Sequence, residues 1–561
     1  MIKKIIRESF TLAILMLAIP LVFGENFLPL EEINRGMKGT GITRWNNNMV
    51  KEFDLEIVGV LRNNPNSGVI IAKINDEEIK NTGVVAGMSG SPVYVNNKII
   101  GAIAFTWRFL KEPFVGITPI EDIFLLQNYN LVNKSYPNDI NYVTPILLSG
   151  VSSFTKELLE SKLKNKNILF VDSFSKFSTI KSNFTTNTFK PGDSIGISLV
   201  SGDMEITAIG TVTYVDGDKV FGLGHPAFLS GKTSIPISDI EIIAIIPKQD
   251  LSFKIGVPKN IIGSLEFDGS SGIFAIVGKE APTIKVSVNV DNKNFYKYSI
   301  AKDPTISQYL TSAVITESIL RTKGISGEGN VELSCSVSFN FEGSERELIL
   351  SFKDIIPVYN LGAGYSLSTS DVLSILDFLL YNPLFKVNIN KIHVNINTKS
   401  LDVGFITFVI PSKTVVSPNE EIKITVGIKK IRDNVITKDF YVKIPPWVNS
   451  GTKINIGVMN KASRTIQKLN NFPESIVFDT YEKLYNFISE DLRVDKMVLY
   501  MEIPGVSYAS GGYVYNLLPN YLSTIFSVSP KSKNLMPFII EEESWEDFPI
   551  GGIATTTIFV K

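Results

Sequence analysis

The 561-residue sequence predicts a mainly β protein built from several domains. The first observation is short runs that alternate apolar and polar positions, such as FDLEIVGVL, SPVYV and TAIGTVTYV, the period of a half-buried strand. The second is turn chemistry: Asn96-Asn97 separates SPVYV from KIIGAIAF, and Asp216-Gly217 separates TAIGTVTYV from DKVFGLG, both hairpin signals. The third is length, because ~100–200 residues per domain implies three to five domains. Composition narrows the class further. Hydrophobic residues at 44% against 20% charged exclude a largely disordered chain. Balanced charge, 55 Lys+Arg against 56 Asp+Glu, excludes a basic nucleic-acid binder.

The elements follow in order. Residues 1–24 combine Lys3, Lys4 and Arg7 with an apolar run from Phe10 to Phe23, and Val22 and Gly24 suit the −3 and −1 positions of a cleavage site. This is a signal-peptide pattern, so export to the periplasm, envelope or exterior is expected after cleavage near Gly24. An uncleaved anchor is the alternative, although the run is short for a span of ~20 residues. Residues 25–130 hold strands over 50–107 and a short helix over 117–130. Residues 131–190 hold a helix over 145–165 and a polar linker from about 174 to 190. Strands return over 191–300. Residues 301–384 mix a helix at 305–322, strands at 329–353 and a helix opened by the capping box Ser368-Thr369-Ser370-Asp371 and ended at Asn382-Pro383. Alternating strands with regular turn signals predict a β-sandwich-like domain over 385–450. Residues 451–561 read as a mixed α+β region with a helix near 478–492. The acidic run Glu541-Glu542-Glu543 with Glu546 and Asp547 reads as a solvated face.

Reactive side chains are scarce. Cys335 is the only cysteine, so neither an intrachain disulfide nor a CxxC zinc site is available. Its setting, VELSCSVSF, reads as a strand in which it is a small buried side chain. His225 and His393 are the only histidines, and no metal or other cofactor is expected. His393 lies in the predicted strand KIHVNINTK and reads as a structural or surface histidine.

The segment Gly87-Met88-Ser89-Gly90-Ser91-Pro92 frames one serine with glycines. A serine at such a turn can expose its hydroxyl while the N–H groups of Gly87 and Ser89 converge on one point, as an oxyanion hole requires. The hydroxyl needs a base, and His225 in FGLGHP is the better candidate.

GMSGSP resembles the nucleophile motif G-x-S-G-[GS]-P of chymotrypsin-like serine peptidases. GMSGSPVY together with GLGH is similar to the SpoIVB (sporulation stage IV protein B) peptidase family, over roughly 35–125 and 205–290. The resemblance implies a double β-barrel peptidase with its halves in swapped order, since Ser89 here precedes His225. It implies a Ser-His-Asp triad, with Asp76 in KIND the candidate that orients His225. A plain turn residue in NDEE remains the alternative for Asp76. It also implies that Ala104-Phe105-Thr106 pairs with substrate backbone. Neither this stretch nor Gly83-Val84-Val85-Ala86 holds an acidic residue, so an uncharged side chain is expected before the cut. Two functions follow as expectations. One is an exported serine endopeptidase that cleaves protein or peptide substrates, or a self-cleaving one. The other is an inactive peptidase-like scaffold at the cell envelope. In either case the C-terminal β-domains would dock an envelope protein, and no nucleic-acid partner is expected.

Overall fold

The computed structural model describes residues 27–561, apart from 65–66, 108, 130–141, 165–166, 174–188, 304, 325–326, 360–375, 377–378, 380–385, 472–479, 491, 511–512, 517–521 and 523–532. The signal-peptide pattern, most of the 174–190 linker, the capping box at Ser368 and the Asn382-Pro383 stop lie outside the described residues. The chain forms two compact units. One runs to Ile284 and includes Tyr298–Thr311; the other comprises Lys285–Lys297 and Ser312–Lys561.

The first unit opens with β1 (Lys38–Arg44), β2 (Val50–Asn64), β3 (Ser67–Ile74), the helix α1 (Glu77–Thr82), β4 (Val85–Ala86), β5 (Pro92–Val95), β6 (Lys98–Phe105) and β7 (Phe114–Pro119). Six of these strands close a barrel in the order β1-β2-β3-β7-β6-β5. Alternation explains its core. Phe53, Leu55 and Ile57 of β2 point inward with Ile70, Ala72 and Ile74 of β3 and with Val115 and Ile117 of β7, all buried. The β5–β6 hairpin turns on Asn96 and Asn97 at φ 50 and 59, the left-handed pair that a type I′ turn needs. The helix expected over 117–130 starts later. Residues through Pro119 pair with β3 and β6 as β7, and only then does the short helix α2 (Ile120–Phe124) form. Sheet pairing overrides local propensity there.

The second half of this unit holds β8 (Thr144–Ser149), α3 (Ser153–Lys162), β9 (Ile168–Asp172), β10 (Ser194–Gly202), β11 (Glu205–Asp216), β12 (Lys219–Gly222), β13 (Gly231–Ile246), β14 (Ser252–Gly269) and β15 (Gly272–Val277). Its strand order is β10-β13-β14-β15-β12-β11-β8-β9, and β10 also pairs with β11. The helix expected over 145–165 is again shortened. Thr144–Ser149 pair with β9 and β11, and α3 begins where the Ser152 hydroxyl caps the Thr155 N–H at 3.2 Å. A closed barrel beside a half-barrel, in a mainly β chain, is consistent with the chymotrypsin-like double barrel.

In the second unit, strands Gly329–Phe341, Leu348–Val358 and Val387–Lys399 form a sheet, with residues 285–290 parallel to 391–396. Cys335 is buried between Phe352 and Val394, and burial pushes its thiol far above the usual range, so it is inert. His393 shares a hydrogen bond with the Ser287 hydroxyl at 2.8 Å in the same sheet. The strand 387–399 therefore does not join the sandwich expected over 385–450. The sandwich instead pairs one sheet of Gly404–Pro411, Glu421–Lys430 and Val435–Lys443 with a second built from Lys453–Asn460, Lys496–Ser510, Lys533–Trp545 and Ala554–Val560. Ile424, Val426, Ile456, Leu499 and Ile558 share one core. Each sheet has a single apolar face and must cover it with the other, so residues 404–561 fold together.

The acidic run is not simply solvated. Strand alternation turns Glu541 and Glu543 toward the helix Lys461–Asn471. There Arg464, 1% exposed, donates to Glu541 at 2.8 Å and stacks on Tyr500, Lys468 reaches Glu541 at 2.6 Å, and Lys461 pairs with Glu543.

Ile70→Ala, at a fully buried barrel position, should lower stability by ~2–5 kcal/mol, read as a lower denaturation midpoint with an unchanged denaturant slope.

Candidate active site

The nucleophile loop, residues 87–91, joins β4 to β5 of the closed barrel. Gly87 and Gly90 hold φ of 100 and 96, a region closed to most side chains, and this folds the loop tightly enough to present Ser89 at its tip. The loop is braced from inside by the Ser91 hydroxyl, which donates to the Met88 carbonyl at 2.6 Å.

The other half of the unit holds this loop from outside. The Thr211 N–H of β11 donates to the Ser89 carbonyl at 2.7 Å, the Thr211 hydroxyl to the Gly87 carbonyl at 2.8 Å, and the Thr213 hydroxyl to the Gly90 carbonyl at 2.8 Å. The approach is close enough that a Cβ on Gly90 would sit 1.9 Å from the Thr211 carbonyl oxygen.

His225 lies on the loop from β12 to β13. Leu223 and Gly224 take φ of 67 and 68, and Leu229 takes 60. A leucine in the left-handed region costs ~1–3 kcal/mol, a cost met by surrounding contacts. The Thr118 hydroxyl of β7 ties this loop back to the barrel through the Gly224 carbonyl at 2.6 Å.

The two loops bring Ser89 and His225 together across 136 residues of sequence: His225 Nε2 lies 2.8 Å from Ser89 Oγ. His225 Nδ1 lies 2.8 Å from the Pro226 carbonyl oxygen. A carbonyl can only accept, so Nδ1 carries the proton and Nε2 presents its lone pair to the serine hydroxyl. His225 is fully buried, Tyr142 stacks on its ring at 5.1 Å, and burial pulls its pKa down to about 4. It is therefore neutral, the form a general base requires, throughout the physiological range.

Asp76 is not brought to this pair. Its Oδ1 caps α1 by accepting from the Ile79 N–H at 2.9 Å, and its Oδ2 pairs with Lys51 at 3.1 Å. The sequence NDEE is a helix N-terminus, and capping is the job that local geometry gives the aspartate. A backbone carbonyl occupies the orienting position at Nδ1 instead.

Sequence reading missed two buried charged residues nearby. Asp268 accepts from the N–H groups of Ala227, Phe228 and Ser230. Lys254 packs its stem against Gly87 and donates to the Thr43 hydroxyl at 2.7 Å, while burial lowers its pKa to about 7. Asp268 stands in IGSLEFDGSSG and Lys254 in LSFKIGV, both ordinary strand patterns, and nothing in either marks the charged residue.

A small, half-open recess lies beside Ser89, walled by Val84, Ala86, Ala104, Phe105, Thr106 and Leu251, with no charged side chain in its lining. Among the described residues no cluster of His, Cys, Asp or Glu gathers to hold a metal ion.

A closed barrel beside a half-barrel, with a serine and a neutral histidine meeting between them, is the arrangement of the chymotrypsin-like serine peptidases. Residues 29–122 match the family model for the SpoIVB peptidase S55, and over that stretch the chain is similar to SpoIVB-type serine peptidases. The matched segment contains Ser89 and ends before His225. No curated protein and no solved structure matches the chain.

Gly90→Ala should displace the nucleophile loop from β11. Labelling of the folded protein by a fluorophosphonate probe should fall at least ~10²-fold, since misplacement by about 1 Å is enough for such a loss.

Proposed function

We propose that this chain is an exported serine endopeptidase in which Ser89 attacks the scissile carbonyl and His225 accepts its proton. The observation that carries this reading is the 2.8 Å contact between Ser89 Oγ and an Nε2 that must be unprotonated. In the first step the Ser89 hydroxyl proton passes to Nε2 as the Oγ–carbon bond forms. The imidazolium then returns that proton to the leaving amine, and water repeats the sequence to release the acyl group. The N–H groups of Gly87 and Ser89 are the donors for the oxyanion; the Ser89 N–H makes no other hydrogen bond among the described residues. Pro226 takes the orienting place expected of Asp76, so the machinery is a dyad with a carbonyl partner. Export rests on the signal-peptide pattern of residues 1–24, and the C-terminal sandwich is the candidate surface for an envelope partner.

Ser89→Ala and His225→Ala should each abolish fluorophosphonate labelling and peptide cleavage, while His393→Ala should leave both intact. Labelling that survives Ser89→Ala would rule out the assignment.

The uncharged recess beside Ser89 supports a small or apolar residue before the cut, with Ala104, Phe105 and Thr106 lining the substrate path. Burying an unpaired Lys or Arg there would be costly. Cleavage of a peptide library should concentrate after small or apolar residues. Dominant cleavage after Lys or Arg would overturn this specificity.

A further inference from the structure

The loop that carries His225 is bent through three left-handed residues, and the backbone N–H groups beyond the histidine converge on one carboxylate. Asp268, at the end of β14, is completely buried. Its Oδ1 accepts from the Ala227 N–H at 2.8 Å, and its Oδ2 from the Phe228 N–H at 2.7 Å and the Ser230 N–H at 3.2 Å. These three donors follow directly on Pro226, whose carbonyl receives the Nδ1 proton of His225.

We propose that Asp268 is the positioning carboxylate of this site, acting on His225 through the backbone of residues 226–230 rather than by direct contact. The inference rests on the reading of Ser89 and His225 as the dyad. In a direct triad the carboxylate accepts from the imidazole and sets its tautomer. Here the carboxylate gathers three N–H groups, which fixes the peptide planes that follow the histidine. The fixed carbonyl of Pro226 then sets the tautomer. Only an ionised carboxylate can accept all three N–H groups without turning a hydrogen toward one of them. An asparagine is the right size but faces one N–H with its own amide hydrogens.

Beyond its three N–H donors, one ionisable group bears on the state of Asp268. Asp303 carries a like charge and opposes its ionisation, while His225 stays neutral. Burial raises the Asp268 pKa to about 6 despite its three N–H donors, and burial lowers that of His225 to about 4. If Asp268 holds the loop in its ionised form, reactivity of Ser89 should fall as pH drops through about 6. If only His225 matters, the fall should come near 4.

The test uses the full chain. The fluorophosphonate labelling rate of the unmodified protein is followed from pH 4 to 8, and its acid limb should have a midpoint near 6. A limb confined to about pH 4 would overturn the proposal, and this measurement does not depend on any variant folding. Asp268→Asn should lower kcat for a peptide substrate ~10²-fold with a smaller change in KM, as expected when a catalytic group is misplaced rather than removed. Because the chain has two histidines, ¹⁵N-histidine spectra in a His393→Asn background report on His225 alone. They should show the Nδ1-protonated tautomer, and Asp268→Asn should mix the two tautomers. Asp268→Glu, which keeps the charge, should recover part of the rate. A folded Asp268→Asn protein with unchanged rate and spectrum would also overturn the proposal. Survival of labelling in Ser89→Ala is a separate outcome, because it removes the dyad itself.

Discussion

The site depends on one strand gripping one loop. β11 supplies the Thr211 N–H and the Thr211 and Thr213 hydroxyls to three carbonyls of the nucleophile loop, those of Ser89, Gly87 and Gly90. Each such bond contributes only ~1 kcal/mol net, but leaving a buried carbonyl unpaired costs ~1–3 kcal/mol, so the docking is specific rather than merely adhesive. A glycine at position 90 is what permits the approach. Once the loop is seated, the order of the two halves along the chain has no bearing on the chemistry. Ser89 and His225 are placed by contacts, and geometry alone defines the pair.

Burial then sets the electrostatics. His225, Asp268 and Lys254 are each fully enclosed, and in all three the largest influence is desolvation, which disfavours the charged form. The same dry surroundings that keep the imidazole neutral strengthen every hydrogen bond made there. Tyr142 adds to this by covering the imidazole ring. The buried carboxylate remains tolerable because three backbone donors face it, and the buried lysine because its stem packs against Gly87 while its head meets a hydroxyl.

The second unit solves a different problem, covering two one-sided sheets with each other. One group of its ion pairs gathers where the helix Lys461–Asn471 packs on one sheet, and there Arg464 reaches Glu541 and Glu502 while lying over the Tyr500 ring. Gly457 makes room for that ring, since a Cβ there would lie 2.2 Å from it.

Much of this was legible along the chain. Period-two alternation announced the strands of both barrel halves and of the sandwich, and Asn96-Asn97 announced a hairpin because those side chains tolerate the left-handed dihedrals that the turn requires. GMSGSP and GLGH marked the two loops that meet, because glycine spacing reflects backbone dihedrals, which are local. Residues whose role is set across the sheet were not legible. Helices expected at 117–130 and 145–165 gave up their first residues to strands, since pairing with β3, β6, β9 and β11 outweighs local preference. The family resemblance implied a triad role for Asp76, yet it accepts from the N–H three residues ahead and caps a helix. Asp268, Thr211 and the Pro226 carbonyl carry no signature of their own. Their partners lie 41, 122 and one residue away, counting Asp268 to Ala227, Thr211 to Ser89 and Pro226 to His225. Local sequence determines which dihedrals and periods a segment can adopt; which distant groups then meet is decided only when the sheets close and buried polar atoms must find partners.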